Sequence, residues 1–452
     1  MSQTGFAAMD EQKFRAFHWR TMLTTGLGVF CDGYDISAIA LVLTAALGSF
    51  GVHKLTGWDS GMLSASALVG STLGAIVFGF LGQYGRKRFY GYDVMILGLA
   101  ALAQAFMPNL AWLIACRFVL GVGVGADYVL SPVIMAEHSN RADRGRALGL
   151  GFGAMWPIGA LAAGALKLLL EAFHVAPDLQ WRLVLSAGAI PALAILYFRR
   201  TMPETARFLA RMAKDHQQAQ AVIAEIGGAA TPPPAADERP FGQVFARHAR
   251  HIFAAALLWM IYDVAAYSAI LFGPNLIASG LGLSPGVFTV LIELIFVIPA
   301  SVLMSWFIID RLGRKPLQVW GFVASGLTLV VFAALRASPG AAAMLAFTVY
   351  GLFNVAQTGP GLVSGAGVYG VELAPTRIRS VAQGITVVGG RIGASISGFA
   401  FPFLFGVLGE IKTTVALAAL CLVGGVVTQL LVPETSARSL EEINLELAPA
   451  EG

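Results

Sequence analysis

The sequence predicts an all-α membrane protein, with twelve transmembrane helices arranged as two six-helix pseudo-symmetric halves. Three features point there. The chain of 452 residues is 57% hydrophobic and only 12% charged, against about 25% charged residues in a soluble domain. Apolar runs recur along its whole length, each near the roughly 20 residues that a helix needs to cross a bilayer. The chain also repeats itself at half its length. "YGRKR" (84–88) returns as "LGRKP" (312–316), "MPETARFL" (202–209) as "VPETSARSL" (432–440), and Glu137 with Arg144 as Glu372 with Arg379. The offsets of 228, 230 and 235 residues place two halves in the same orientation, a plan that relates them by an axis along the membrane normal.

The spans fall near 19–48, 59–83, 89–107, 110–136, 145–171, 179–198, 250–277, 284–310, 316–336, 340–371, 378–407 and 411–432. Helices are expected because a segment in lipid must satisfy its own backbone hydrogen bonds. No series of short alternating segments signals a barrel. The polar start "MSQTGFAAMDEQKFRAFHWR" lacks a signal-peptide layout, so the first span is read as the insertion signal. The N-terminal half is expected over 1–198, a linker loop over 199–249, the C-terminal half over 250–432 and a tail over 433–452. Within the linker the pattern predicts an amphipathic helix at 214–226, followed by an extended tether, "GGAATPPPAADERP". Cys31, Cys116 and Cys421 sit in apolar segments without metal-site spacing and read as small buried residues.

Twenty-three of the 30 lysines and arginines fall on one side of this topology and five on the other, while Arg117 and Arg391 lie within spans. That asymmetry predicts a multi-pass protein of a cell (inner or plasma) membrane with both termini and the 199–249 loop cytoplasmic. The basic balance is then a topology and lipid-surface effect. No basic patch interleaved with aromatics suggests nucleic acid.

Charges inside the spans call for an explanation. An aspartate at the centre of a membrane helix costs about 2.5–3.5 kcal/mol on insertion scales and is a functional candidate by default. Asp32, Asp35, Asp127 and Asp263 are so placed, and Glu293 lies nearer a span end, where a solvated and a functional position are both open. Facing lipid, the four aspartates would cost on the order of 10 kcal/mol, so they are expected to face a wet interior or to pair. Asp32 and Asp35, three apart, share a face. Arg117 and Tyr128, eleven apart, share one as well, with Asp127 rotated about 100° from Tyr128 and able to look toward the first span. Paired with Arg117, Asp127 would instead be a buried lock. Trp259, Asp263 and Tyr267 step by four along one stripe. Carboxylates in a low-dielectric site suit proton binding near neutral pH. A fixed cation such as Arg391, with Tyr128, Trp156 and Tyr267 as donors, suits a desolvated anion. No nucleophile triad, metal cluster or phosphate-cradling loop appears, so neither an enzyme nor a cofactor or metal is expected.

These residues resemble the major facilitator superfamily over nearly the whole chain. "DRLGRK" (310–315) is similar to its loop signature, while "GQYGRKR" (82–88) keeps Gly85, Arg86 and Lys87 but lacks the signature acid. "PETARFL", "ELAPTRIR" and "PETSARSLEEI" look like its sugar-porter and organic-ion branch. "GVGVGADYVLSP" (121–132), "WMIYDVAAY" (259–267) and "CDGYD" (31–35) resemble the phosphate:proton symporters. The resemblance implies proton coupling through Asp32, Asp35 and Asp127, and substrate contacts from Tyr128, Trp259, Asp263 and Tyr267; the charges and donors themselves add Arg117 to the first set and Trp156 and Arg391 to the second. It implies conformational gating by Gly85, Arg86, Glu137, Arg144, Asp310, Arg311, Gly313, Arg314, Glu372 and Arg379. Trp156 stands where that family has a glutamine, "TGPGL" lacks its asparagine, and Arg391 replaces its lysine. "CDGYDISAIAL" is also similar to the aromatic-acid:proton symporters.

The expected function is proton-coupled symport of a small anion by alternating access, phosphate or a similar oxyanion first and an organic or aromatic carboxylate second. A non-transporting receptor on a transporter scaffold is the rival from another class, and a facilitator without proton coupling also stays open. The expected partners are a small anion, protons and the bilayer, with the chain a monomer.

Overall fold

The structure, a computed structural model, describes residues 6–53, 58–227, 239–338 and 343–444, apart from the side chains at 272, 275–277, 279–280 and 402. Lys54, residues 228–238 of the expected tether and residues 445–452 of the tail lie outside that description. No strand occurs among the described residues. All twelve expected segments are helical. The first six are α1 (Ala16–Ser49), α2 (Trp58–Leu81), α3 (Tyr92–Gln104), α4 (Leu110–His138), α5 (Arg144–Ala172) and α6 (Pro177–Thr201). The next four are α7 (Phe241–Gly280), α8 (Pro285–Leu312), α9 (Arg314–Ala337) and α10 (Ala343–Pro360). The stretch Arg379–Leu431 is broken at Gly409 (φ 78°), which divides it into α11 and α12. By length and composition, 10 of the described helices can cross a membrane. The third, of 13 residues, and the tenth are shorter. α10 continues through a widened turn, Gly361–Gly365, into a short helix, Val368–Glu372. The linker helix runs over His216–Ile226.

The alternate glycines of α4 serve two neighbours. A Cβ at Gly121 or Gly125 would lie 1.9 or 2.0 Å from the carbonyl oxygens of Ala67 and Ser71 on α2. One at Gly123 would lie 2.7 Å from the Asp93 carbonyl on α3. Small residues thus let α4 sit backbone to backbone between two helices. The halves meet through α2 against α11, α5 against α8, and α1 against α7. The first and last described segments meet on one face, where Arg207 joins Asp10 (2.8 Å) to Glu441 (2.9 Å). Phe6 and Met9 are buried there against Leu209 and Ile223. Burial raises the Asp10 carboxyl above its usual range, against the pull of Arg207.

Candidate functional site

The face that carries Asp10 and Glu441 is closed by a two-fold latch of buried ions. Glu137, at the end of α4, accepts from Arg86 of its own half (3.1 Å) and from Arg379 of the other (2.8 Å). Its counterpart Glu372 accepts from Arg314 of its own half (3.3 Å) and from Arg144 of the other (2.6 Å). Both repeated carboxylates therefore cross-link the halves. Asp310 adds a third link, accepting from the Gly145 and Arg146 amides (3.0 and 2.7 Å) and from Arg314 (2.7 Å). In the first half Gly82 stands at the place of Asp310, and the next residue, Gln83, donates to Ser380 Oγ at 2.7 Å, a neutral bridge to the other half. Gly85 and Gly313 have φ of 135° and 99°, and a Cβ at either would meet Glu204 or Glu434, the glutamates of the repeated Pro-Glu-Thr. Those glutamates accept from the Lys87 amide, and from the Arg314 and Lys315 amides, all at 3.0 Å. Arg311 lies exposed, outside the latch.

Removing one partner of a buried pair costs about 3–5 kcal/mol. Glu372→Gln is therefore expected to shift the closed–open equilibrium of this face by about 100-fold or more. Spin labels at the exposed Arg88 and Arg311 should report a longer separation in the variant. An unchanged distance distribution would show that the latch carries no conformational energy.

Above the latch lies a central chamber of about 100 Å³, below the several hundred cubic ångströms of a drug-sized site. All six residues expected to touch substrate line it: Tyr128, Trp156, Trp259, Asp263, Tyr267 and Arg391. Arg391 is the only basic residue among the described lining. It donates to the Tyr267 hydroxyl at 2.6 Å and stacks 4.2 Å from the Tyr128 ring centroid, a favourable arrangement for a desolvated guanidinium. Its Nε and Asp263 Oδ2 have no hydrogen-bond partner among the described residues. Widened turns occur at Gly149–Ala154 in α5, Glu293–Val297 in α8 and Gly361–Gly365 after α10, and each brings a residue to the chamber wall. Such turns inside helices recur at functional sites.

The four groups expected to couple protons do not line the chamber. Asp127 does not pair with Arg117. It accepts from Arg199 of α6 at 2.8 Å and from the Ser131 hydroxyl, and Arg199 also binds Asp93 of α3. Asp93 and Arg199 escaped the sequence reading because both sit near span ends, where a charge normally meets water. Arg199 is one of the twenty-three cations on the basic side of the expected topology, and it is wholly buried. The pair packs against Gly28 of α1, where a Cβ would stand 1.8 Å from Arg199 Nη2 and 2.1 Å from Asp127 Oδ2. One turn along α1 is Asp32, fully buried, with neither oxygen hydrogen-bonded among the described residues. The charges acting on it are Asp127, Arg391, Arg199 and Asp35, so it stands electrostatically between the ion pair and the chamber. Asp35 is buried beside Gly188 of α6 and feels Arg117. Arg117 itself donates to the Leu63 carbonyl (3.3 Å) and to Gln104 (3.0 Å). Sequence reasoning also left out Gln357 and Asn354 as chamber residues, and Gln383, whose amide reaches from α11 to the Tyr128 carbonyl at 2.9 Å.

A mostly apolar chamber between two six-helix halves, with a buried cation on one half and a buried ion-pair latch below, fits a multi-pass membrane transporter of the major facilitator superfamily. The chain belongs to the sugar (and other) transporter family, whose family model matches residues 21–447. This is a family of transporters and not of enzymes. Among its relatives, a probable inorganic phosphate transporter 1-6 of Arabidopsis thaliana is 31% identical, covering 98% of this chain and 96% of its own. Inorganic phosphate transporter 1-6 of Oryza sativa subsp. japonica is 32% identical, covering 97% and 94%. In fold the chain is similar to a proton:xylose symporter of the major facilitator superfamily solved with 6-bromo-6-deoxy-D-glucose. The TM-score is 0.80 at 20% identity, over 96% of this chain and 99% of that one.

Proposed function

We propose that the protein is a proton-coupled symporter of a small anion, phosphate or a similar oxyanion, working by alternating access. The observation that carries this reading is Arg391, a buried guanidinium with an unpartnered Nε in a small chamber beside Asp263. An anion there gains a fixed cation that has already been desolvated, so little reorganisation opposes binding. The relatives named above as inorganic phosphate transporters support the same cargo. Proton coupling is assigned to Asp32 with the Asp127–Arg199 pair. A proton on either aspartate changes the field at Arg391 by a full charge, which links protonation to anion affinity. The halves, 1–198 and 250–432, rock about the chamber as the latch makes and breaks. The excess of basic residues puts the latch face on the cytoplasmic side of a cell membrane.

Trp156 in the chamber wall favours a second cargo, an organic or aromatic carboxylate, because an indole offers a flat apolar face to a ring. One experiment separates the two. Purified protein in proteoliposomes with an inward proton gradient is expected to accumulate labelled phosphate, and unlabelled phosphate should compete while benzoate does not. Uptake blocked by benzoate but indifferent to phosphate would move the assignment to the carboxylate. Uptake that ignores the gradient would remove proton coupling.

A further inference from the structure

Glu293 is a second carboxyl in the chamber wall, placed there by the widened turn Glu293–Val297 of α8. It is 8% exposed, and its Oε2 has no hydrogen-bond partner among the described residues. It also lines a smaller cavity of about 40 Å³ that Ser37, Ala40, Thr289 and Tyr350 bound. Ile270, Glu293 and Asn354 are common to both cavities and form the partition between them. The smaller cavity lies on the side away from the latch: Thr289 is near the start of α8, whose other end carries Asp310, and Tyr350 is near the start of α10, which leads to Glu372. Glu293 therefore stands between the chamber and a cavity on the side away from the latch.

An ionised carboxylate at that partition would repel an anion across a low-dielectric gap. The chamber cannot offset it. Arg391 is its one described cation, and Asp263 already opposes that charge. We propose that Glu293 is a proton-binding, specificity-determining residue that admits an anion from the face opposite the latch only while its carboxyl is protonated. This rests on the anion-symport reading above. The proton comes from water on that face. Once bound, it turns an acceptor-only carboxylate into an O–H donor that can hydrogen-bond an anion oxygen.

The ionisable groups around Glu293 are consistent with this role. Tyr262 of α7 and Tyr350 of α10 feel its charge. Asp263 and Tyr267 of α7 and Arg391 of α11 share the chamber. From α5, Lys167 packs near Gly286, about two turns away, with its amine engaged by Glu171 and Gln180. None of these ion-pairs with Glu293 in the structure.

The test is exchange of labelled phosphate across proteoliposomes at equal pH on both sides, from about pH 5 to about pH 8, where a carboxyl loses its proton about tenfold per unit above its midpoint. Wild-type exchange is expected to fall as pH rises. Glu293→Gln, a neutral isostere of the protonated acid, should exchange like wild type at the acid end and keep about tenfold more of that rate at the alkaline end. Glu293→Asp, which still titrates, should restore the fall with a displaced midpoint. Should the glutamine variant not fold, Glu293→Met supplies the neutral side chain and is expected to lose the same slope. Parallel profiles for wild type and the neutral variants overturn the inference and leave the symport reading standing. A folded glutamine variant that is inactive at every pH also overturns it, since the isostere should mimic the acid. Absence of phosphate exchange by the wild type at every pH overturns the cargo reading and this inference together.

Discussion

Arg391→Ala is expected to weaken phosphate binding by about 2–5 kcal/mol, a loss of roughly 30-fold to several thousandfold, because it leaves an anion buried without its counter-charge. The guanidinium is held by the Tyr267 hydroxyl and by the Tyr128 ring, so its position does not depend on the cargo. That preorganisation is why its loss is expected to have the largest effect on binding in the chamber. Arg391→Lys keeps the charge but loses the planar fork and the ring stacking, and should fall between the two, about tenfold weaker than wild type. Phosphate-dependent thermal stabilisation of the purified protein measures both. Binding within about threefold of wild type in the alanine variant would remove Arg391 from the site. A variant that unfolds without phosphate would show instead that the arginine is structural.

Asp127→Asn is expected to abolish gradient-driven accumulation while sparing counterflow. One coupled proton can sustain an accumulation of about tenfold per unit of pH gradient, and in the variant the ratio should fall to that of simple equilibration. The amide still accepts from Arg199 but cannot take up or release a proton. Arg199 keeps Asp93 as a full counter-charge, so folding should survive. Asp32 would then no longer feel a carboxylate at Asp127 that can gain and lose a proton, which should break the link between protonation and Arg391. Accumulation equal to wild type would rule out Asp127 as part of the coupling path. Loss of counterflow as well would mean that the Asp127–Arg199 pair holds the helices together rather than coupling a proton.

Helices are fixed largely by local apolar length and the need to satisfy the backbone within lipid, which is why the twelve segments and the break near Gly409 were legible. The latch was legible from its repeats: Glu137 with Arg144, and Glu372 with Arg379, carry the half-length offset. What the repeats could not tell was the crossed pairing, in which each glutamate binds the arginine of the other half. The chamber-lining stripe Trp259–Asp263–Tyr267 of α7 was also readable, since residues four apart share a face and an aspartate flanked by aromatics has few apolar uses.

Composition, periodicity and internal repetition by themselves determined a twelve-helix bundle with carboxylates that lipid cannot accept. The tertiary structure alone decided their partners. It gave Arg199 to both Asp127 and Asp93, left Asp32 one turn beyond Gly28 from that pair, and set Glu293 on the partition of the chamber. A helical period tells which face a side chain takes, but not how far along the membrane the next helix presents its charge. That depth depends on helix tilt and on glycine-to-backbone approaches between helices, which only the packed bundle contains.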